Sequence, residues 1–287
     1  MLEKVPSYSP YEFTEFKGSI ITKLSPQIGK VSKMEISKDL GNSSITLVGL
    51  GTLGSYVLRS LIEVGIRKIK IIDPDQVDER EISLGFYAEE DLGRLHCDVW
   101  QKRFDELTMK VQTSVEFSSA DVRNLTPVEI LNTDLVVLCS ETEAILLHEY
   151  INEICLENKS NWFSVRYLDN IGELGPLVIS DQTACYECYI LRLKSNQEVK
   201  VAPKELRQID ERQSDLEILE QLKIRITAGY ACLEISRYFS NVGRSVTIGG
   251  ILSINFKNYK NSIHRLLRVP NCPGCERSID SKPILGD

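Results

Sequence analysis

Residues 44–73 constrain the fold more than any other stretch of the chain. Ser44-Ile45-Thr46-Leu47-Val48 is a β-branched run that stops at glycine. A helix-like stretch follows from Ser55 to Val64, and Lys68-Ile69-Lys70-Ile71-Ile72-Asp73 reads as a second buried strand. Strand, glycine-rich turn, helix, strand is a βαβ unit, which demands a right-handed crossover and a parallel sheet covered on both faces. A chain of 287 residues, 42% of them hydrophobic, has enough apolar material to supply that cover.

The pattern continues. Leu92, Leu95, Val99, Phe104 and Leu107 recur at helical spacing and predict a helix from about Asp91 to Met109. Thr113 to Phe117 alternates like a strand, Asp134 to Cys139 reads as another buried strand, and Glu143 to Glu157 reads as a helix. The alternation predicts an α/β fold, a Rossmann-like doubly wound and mostly parallel sheet over residues 44–175.

On either side the texture differs. Residues 1–43 scatter proline and glycine among polar positions and read as an N-terminal arm or lid. Residues 176–287 read as elements packed on the same domain. These are a short strand at Leu177–Ile179, a polar crossing loop from Lys194 to Ser214 and a long helix from Leu216 to Tyr238. A C-terminal antiparallel hairpin over Val246 to Phe256 and Ser262 to Val269 completes them. On the long helix Leu219, Leu222, Ile226, Tyr230, Leu233 and Tyr238 mark the expected apolar side. A crossing loop of that length is unusual in a compact domain and suggests disorder or a functional lid.

Eight cysteines in a chain without an export pattern argue against a disulfide framework, so their spacing carries the information. Cys185-Tyr186-Glu187-Cys188 and Cys272-Pro273-Gly274-Cys275 are two CxxC knuckles, which together offer four thiolates in the closed tetrahedral set of structural zinc. With no open position for water, such an ion clamps the C-terminal region to the loop after the sheet rather than performing chemistry. A redox dithiol is the alternative for either pair alone, and the presence of both argues against it. Cys97, Cys139, Cys155 and Cys232 stand singly in apolar surroundings and read as buried core residues.

Gly49-Leu50-Gly51-Thr52-Leu53-Gly54 lies at the end of the first strand and the start of the first helix. Glycines there permit a tight turn and close backbone approach, and the helix N-terminus offers unpaired N–H groups to a phosphate. Asp73 ends the next strand, where a carboxylate accepts hydrogen bonds from ribose hydroxyls. The same glycines also serve turn geometry and helix–sheet packing with nothing bound, and spacing alone leaves both readings open.

Composition excludes several classes. A net charge of -7 speaks against broad phosphate-backbone binding, so no nucleic-acid partner is expected. No window approaches the roughly 18 uninterrupted apolar residues of a membrane helix, and Met1 to Tyr8 carry no basic-then-apolar signal pattern. The expectation is a cytoplasmic protein without a membrane partner.

The order of these features resembles the ThiF/MoeB superfamily, the fold of ubiquitin-activating enzymes. The matching pieces are the GxGxxG at Gly49, Gly51 and Gly54, then Ile72-Asp73-Pro74-Asp75-Gln76-Val77, and both CxxC pairs. The resemblance implies ATP and magnesium as cofactors, adenylation of a peptide carboxylate, a symmetric homodimer, and a nucleotide pocket that includes Asp73 and Asp75. Gly175-Pro176-Leu177-Val178 and Thr183-Ala184-Cys185-Tyr186-Glu187-Cys188 look most like the ThiF-like zinc domains of azoline-forming cyclodehydratases and the microcin-type peptide adenylyltransferases.

Departures from the active pattern fall at charged positions. Glu81-Ile82-Ser83-Leu84-Gly85 stands where the family carries Asn and then Arg-Gln. Asp91-Leu92-Gly93-Arg94-Leu95-His96 places His96, expected as a neutral imidazole, where a lysine meets the phosphates. Leu138-Cys139-Ser140-Glu141 offers Glu141 where the magnesium-holding Asp is usual. Adenylyl transfer rests on positioning and charge neutralisation, and losing one preorganised contact costs on the order of 100- to 1000-fold in rate.

The resemblance therefore implies a ThiF-like partner in ribosomal peptide natural product (RiPP, bacteriocin) biosynthesis, with a degenerate adenylation site. Such a protein binds a precursor (leader) peptide or activates a separate ATP-dependent enzyme such as a YcaO-type protein. Peptide capture by strand addition at a sheet edge would suit it. The alternative is an active ATP-dependent adenylyltransferase in which Arg94, His96 and Glu141 act, with Arg80 or Arg103 also available to replace the lost cations.

Overall fold

The computed structural model describes residues 39–107, 113–142, 144–196, 213–240 and 242–277. One eight-stranded sheet organises them in the order β3-β2-β1-β4-β5-β6-β7-β8. The strands are β1 (Ser44–Val48), β2 (Lys68–Ile72), β3 (Ser114–Ser118), β4 (Leu135–Ser140), β5 (Trp162–Leu168), β6 (Ile171–Val178), β7 (Gly250–Asn255) and β8 (Lys260–Arg265). Pairing is parallel from β3 to β5 and antiparallel from β5 to β8.

The helices are α1 (Thr52–Val64), α2 (Glu79–Ser83), α3 (His96–Leu107), α4 (Pro127–Leu131), α5 (Ile145–Glu157), α6 (Tyr186–Asn196), α7 (Gln213–Ser240) and α8 (Pro273–Arg277). Alternation along β4 sends Leu135, Val137 and Cys139 into one core and Val136 and Leu138 into the other. The first core is closed by α1, α3 and α7 through Leu53, Leu58, Leu61, Val99 and Ile224, and the second by α5 and the cysteine region. Both faces of β4 are fully buried, as a central strand of a doubly wound sheet requires.

The α/β Rossmann-like fold and the C-terminal hairpin appear as read from sequence; the differences are local. The helix expected from Asp91 begins instead at His96, because Gly93 sits at φ +73 and breaks the first turn into a 3-10 segment at Glu89–Asp91. The strand expected at Leu177–Ile179 is the end of the eight-residue β6. β6 pairs with β5 through the two-residue turn Asp169-Asn170, both at positive φ. This strand carries the chain through positions 175 and 176 without leaving the sheet. Gly172 is required there, since a Cβ would meet Thr227 Oγ1 of α7 at 2.4 Å.

The long helix is also turned from its expected face. Leu219, Leu222, Ile226 and Leu233 are exposed, Tyr230 and Tyr238 are half-buried against the core as expected, and Ile224, Ala228, Ala231, Cys232 and Ile235 are buried. Small residues let α7 approach α1 closely, and the bulky stripe faces outward. Cys97, Cys139, Cys155 and Cys232 are buried as expected. Residues 1–38 of the expected arm, 197–212 of the expected crossing loop, Met109 and Glu143 lie outside the described residues.

Candidate functional site: a glycine-turn cleft and a four-cysteine clamp

The cleft lies at the carboxyl ends of β1, β2 and β4 and has a volume of about 740 Å³. The turn after β1 is forced by close approach: Gly49 adopts φ +92 beside the Cys139 carbonyl, and a Cβ on Gly54 would meet the Gly49 carbonyl at 2.0 Å. Gly51 follows as the N-cap of α1, with no side-chain cap of its own.

A side chain just past the end of the neighbouring strand β4 supplies that cap. Glu141 Oε1 accepts from the Leu53 N–H at 2.6 Å. A Cβ on Gly51 would lie 3.2 Å from Glu81 Oε1 and 3.3 Å from Glu141 Oε1, so two carboxylates flank the turn. Burial drives the Glu141 pKa up, the Leu53 N–H and Arg80 pull it down, and Glu81 and Glu220 push it further up. Arg80 spans the rim, 3.8 Å from Glu141 and 3.2 Å from Glu220 on α7.

Asp73 is committed within the chain. Its carboxylate accepts from the Leu50 N–H at 2.5 Å and the Asp75 N–H at 2.8 Å, and pairs with His96 Nδ1 at 3.0 Å. His96 Nε2 reaches Glu81 Oε2 at 2.8 Å. Burial opposes a charge on the ring, but the hydrogen bonds and charges of Asp73 and Glu81 override it and raise the pKa to about 10. The neutral imidazole expected from sequence is therefore a cation at neutral pH, with its charge taken up by two carboxylates. Asp75 is also shifted up, first by burial and then by Asp73.

Gly49, Gly51, Gly54, Asp73, Asp75, His96, Glu141 and Arg80 thus come together around one cleft. Arg94 and Arg103 do not line it: both pair with Asp91, at 3.4 and 2.9 Å, and Arg103 lies over the rings of Phe86 and Tyr87. Sequence reasoning missed Asp121 and Arg123, and read Glu81 only as a departure from the family pattern rather than as part of the site. Glu81 had a legible signal, because Asp78 and Glu81 form a capping box on α2. Six carboxylates (Asp73, Asp75, Asp78, Glu81, Asp121, Glu141) face three cations (Arg80, His96, Arg123), and Arg123 is paired with Asp121. The lining is thus poor in free positive charge.

On the other face of the sheet Cys185, Cys188, Cys272 and Cys275 converge, all buried, with their sulfurs within 4.8 Å of one another. Sγ–Sγ separations are 4.0 Å for Cys185–Cys188, 3.7 Å for Cys185–Cys272 and 3.5 Å for Cys188–Cys275. Four sulfurs about 2.3 Å from a tetrahedral ion stand roughly 3.8 Å apart, so the set fits a metal ion with no position left for water. The Val269 N–H donates to Cys188 Sγ at 3.3 Å, and Asn152 Oδ1 accepts from the Tyr186 N–H at 3.0 Å, which fixes the first knuckle to α5. A Cβ on Gly274 would sit 3.0 Å from Cys185 Sγ and crowd the cluster.

A doubly wound sheet with a glycine turn at β1 and a cysteine clamp behind it defines an adenylyltransferase-like α/β fold. The chain belongs to the ThiF family, whose model matches residues 24–275. It is 29% identical over 180 residues to the adenylyltransferase and sulfurtransferase UBA4 of Candida albicans, covering 62% of this chain and 40% of that protein. It is also 29% identical over 158 residues to a probable molybdopterin-synthase adenylyltransferase of Porphyra purpurea, covering 54% of this chain and 38% of that protein. The chain thus spans less than half the length of these relatives.

Among solved structures, E. coli MccB crystallised with AMPCPP and MccA superimposes with a TM-score of 0.66 at 18% identity, covering 84% of this chain and 69% of that one. PaaA gives 0.59 at 15% identity, with 81% and 75% coverage. These are likenesses of fold. Among the described residues no helix is long and apolar enough to cross a membrane.

Proposed function

We propose that this chain is a ThiF-like partner protein in ribosomal peptide natural product biosynthesis. It holds a precursor peptide and works beside a separate ATP-dependent modifying enzyme of the YcaO type, its own adenylation site having become architecture. One observation carries the reading: the Glu141 carboxylate occupies the N–H of Leu53 at the start of α1, where the glycine turn would otherwise seat an anion. His96, the residue at the phosphate-binding position, is spent on Asp73 and Glu81.

Peptide binding is supported by MccB having been solved with MccA, and by β8, which among the described residues pairs with a strand on one side only. All six residues of β8 are exposed, which suits capture of an extended segment by strand addition. Exposed Ile145 and Leu146 at the cleft rim add apolar contact area. The four sulfurs would hold zinc in a purely structural role. The outward stripe on α7 suits a homodimer, and the protein is assigned to the cytoplasm.

A second reading, an ATP-dependent adenylyltransferase acting on a peptide carboxylate, is favoured by the cleft volume and by Arg80, whose side chain is 47% exposed at the rim and has room to swing toward a phosphate. ATP–pyrophosphate exchange with a candidate precursor peptide separates the two. The partner reading expects peptide binding without exchange and faster turnover of the modifying enzyme when this chain is added. Exchange at ordinary enzymatic speed would overturn it, and magnesium-dependent ATP binding at the cleft would then be functional.

A further inference from the structure

A groove of about 740 Å³, distinct from the glycine-turn cleft, opens between α1, α3 and α7. Its body is aromatic. Tyr56 meets Phe86 edge-on at 4.8 Å between centroids, and Phe86 stacks on Trp100 at 6.0 Å. The Trp100 indole N–H is already given to Ser55 Oγ at 2.8 Å, so this side chain offers the groove only its ring.

Three guanidinium groups line the groove and differ in how they are committed. Arg59 pairs with Glu63 at 2.9 Å and Arg103 with Asp91 at 2.9 Å. Arg225 lies over the Tyr56 ring, 4.8 Å from its centroid, and among the described residues it has no acidic partner. Tyr56 is only 7% exposed, and its buried hydroxyl has no hydrogen-bond partner among the described residues. A phenol buried without a partner is a cost carried by the fold, and a ligand oxygen relieves it. The exposed guanidinium that lies over the same ring supplies a planar fork for that ligand group once it swings off the ring face.

We propose that this groove is a second binding site, one that takes a carboxylate borne on an aromatic or branched apolar body. One uncommitted cation matches one negative charge. A dianionic phosphate would find too few donors among these rings. The carboxylate draws Arg225 from the ring face and accepts from Tyr56, while the body fills the space against Phe86 and Trp100. Two sources share this chemistry, a small aromatic acid and the carboxyl-terminal residue of a peptide.

Calorimetry on the full chain tests the proposal with four probes: 3-phenylpropionate, its neutral amide, phenyl phosphate and an N-acetylated tripeptide ending in phenylalanine. The acid should bind one to one and the amide about tenfold more weakly. Arg225→Gln should cost a similar factor. Tyr56→Phe should weaken the acid severalfold while leaving the unfolding midpoint unchanged or raised, because it deletes an unpaired buried hydroxyl. Arg80→Gln, which alters the cleft and its pairing with Glu220 but no residue lining the groove, should change nothing. Tripeptide binding at least tenfold tighter than the free acid assigns the site to a peptide end; equal or weaker binding assigns it to a small acid. Equal affinity for acid and amide, indifference to Arg225→Gln, tighter binding of phenyl phosphate, or loss in Arg80→Gln would each overturn it.

Discussion

Glu141 Oε1 accepts a hydrogen bond from the Leu53 N–H at 2.6 Å, so β4 delivers to the start of α1 the negative charge that its glycine turn could otherwise take from a ligand. The carboxylate gains from the helix dipole and satisfies one orphan donor, an arrangement worth about 1 kcal/mol. Burial works against it. Glu141→Ala should therefore lower stability by about 1 kcal/mol and at the same time raise ATP or sulfate affinity by about tenfold. Thermal melts and calorimetry read the two effects. If the seat is already used by nucleotide, with Glu141 holding a metal ion, the same substitution weakens ATP instead.

His96 makes stability depend on pH in a defined direction. Its pKa rises from 6.5 to about 10 on folding, so between those values the native protein holds a proton that the unfolded chain has lost. The stabilisation is complete below pH 6.5 and drains away as pH climbs through about 10. His96→Gln should cost about 3 kcal/mol at pH 7, since it leaves Asp73 and Glu81 as buried carboxylates without their cation. Urea unfolding at pH 7 and 9.5 should show wild type losing stability and the variant nearly flat. Parallel losses would remove His96 from the account.

How much of this was legible in the sequence depends on the distance over which each feature is encoded. The glycine turn, the Asp73 strand end and both CxxC pairs are local spacings, and each appears where the sequence places it. The Asp73–His96–Glu81 network joins three separate segments, and only the Asp78–Glu81 capping box is local enough to point to it. The β5–β6 hairpin escaped because Gly172, Gly175 and Pro176 interrupt the pattern of β6, and the reason for Gly172 is Thr227, which lies 55 positions further along. On α7 both faces carry apolar residues. Periodicity chose the bulky stripe, whereas close packing on α1 chose Ala228 and Ala231.

That outward stripe bears on assembly. Leu219, Leu222, Ile226 and Leu233 are between 44% and 51% exposed and recur on one side of α7. Withdrawing the remaining half of each leucine or isoleucine from water contributes roughly 1 kcal/mol, so four from each of two copies supply enough to hold a dimer. Leu222→Glu with Ile226→Glu should convert a dimer to a monomer in light scattering without changing far-UV circular dichroism, because neither side chain is in the core. A wild-type protein that runs as a monomer at micromolar concentration would sink the homodimer.

Cys185 and Cys188 open α6, and Cys272 and Cys275 sit 87 positions away around α8, so an ion between them closes a long loop of chain. Structural zinc contributes folding energy outright, because its site does not exist in the unfolded chain. Purified protein should therefore carry about one zinc per chain by elemental analysis. Cys272→Ser should lose most of it and several kcal/mol of stability, while Cys155→Ser, in the same core but away from the cluster, should keep the metal. Chelator should lower the wild-type melting temperature and leave that of Cys272→Ser unmoved. Full zinc in Cys272→Ser would mean that three sulfurs and some other ligand suffice, and the four-sulfur assignment would fall.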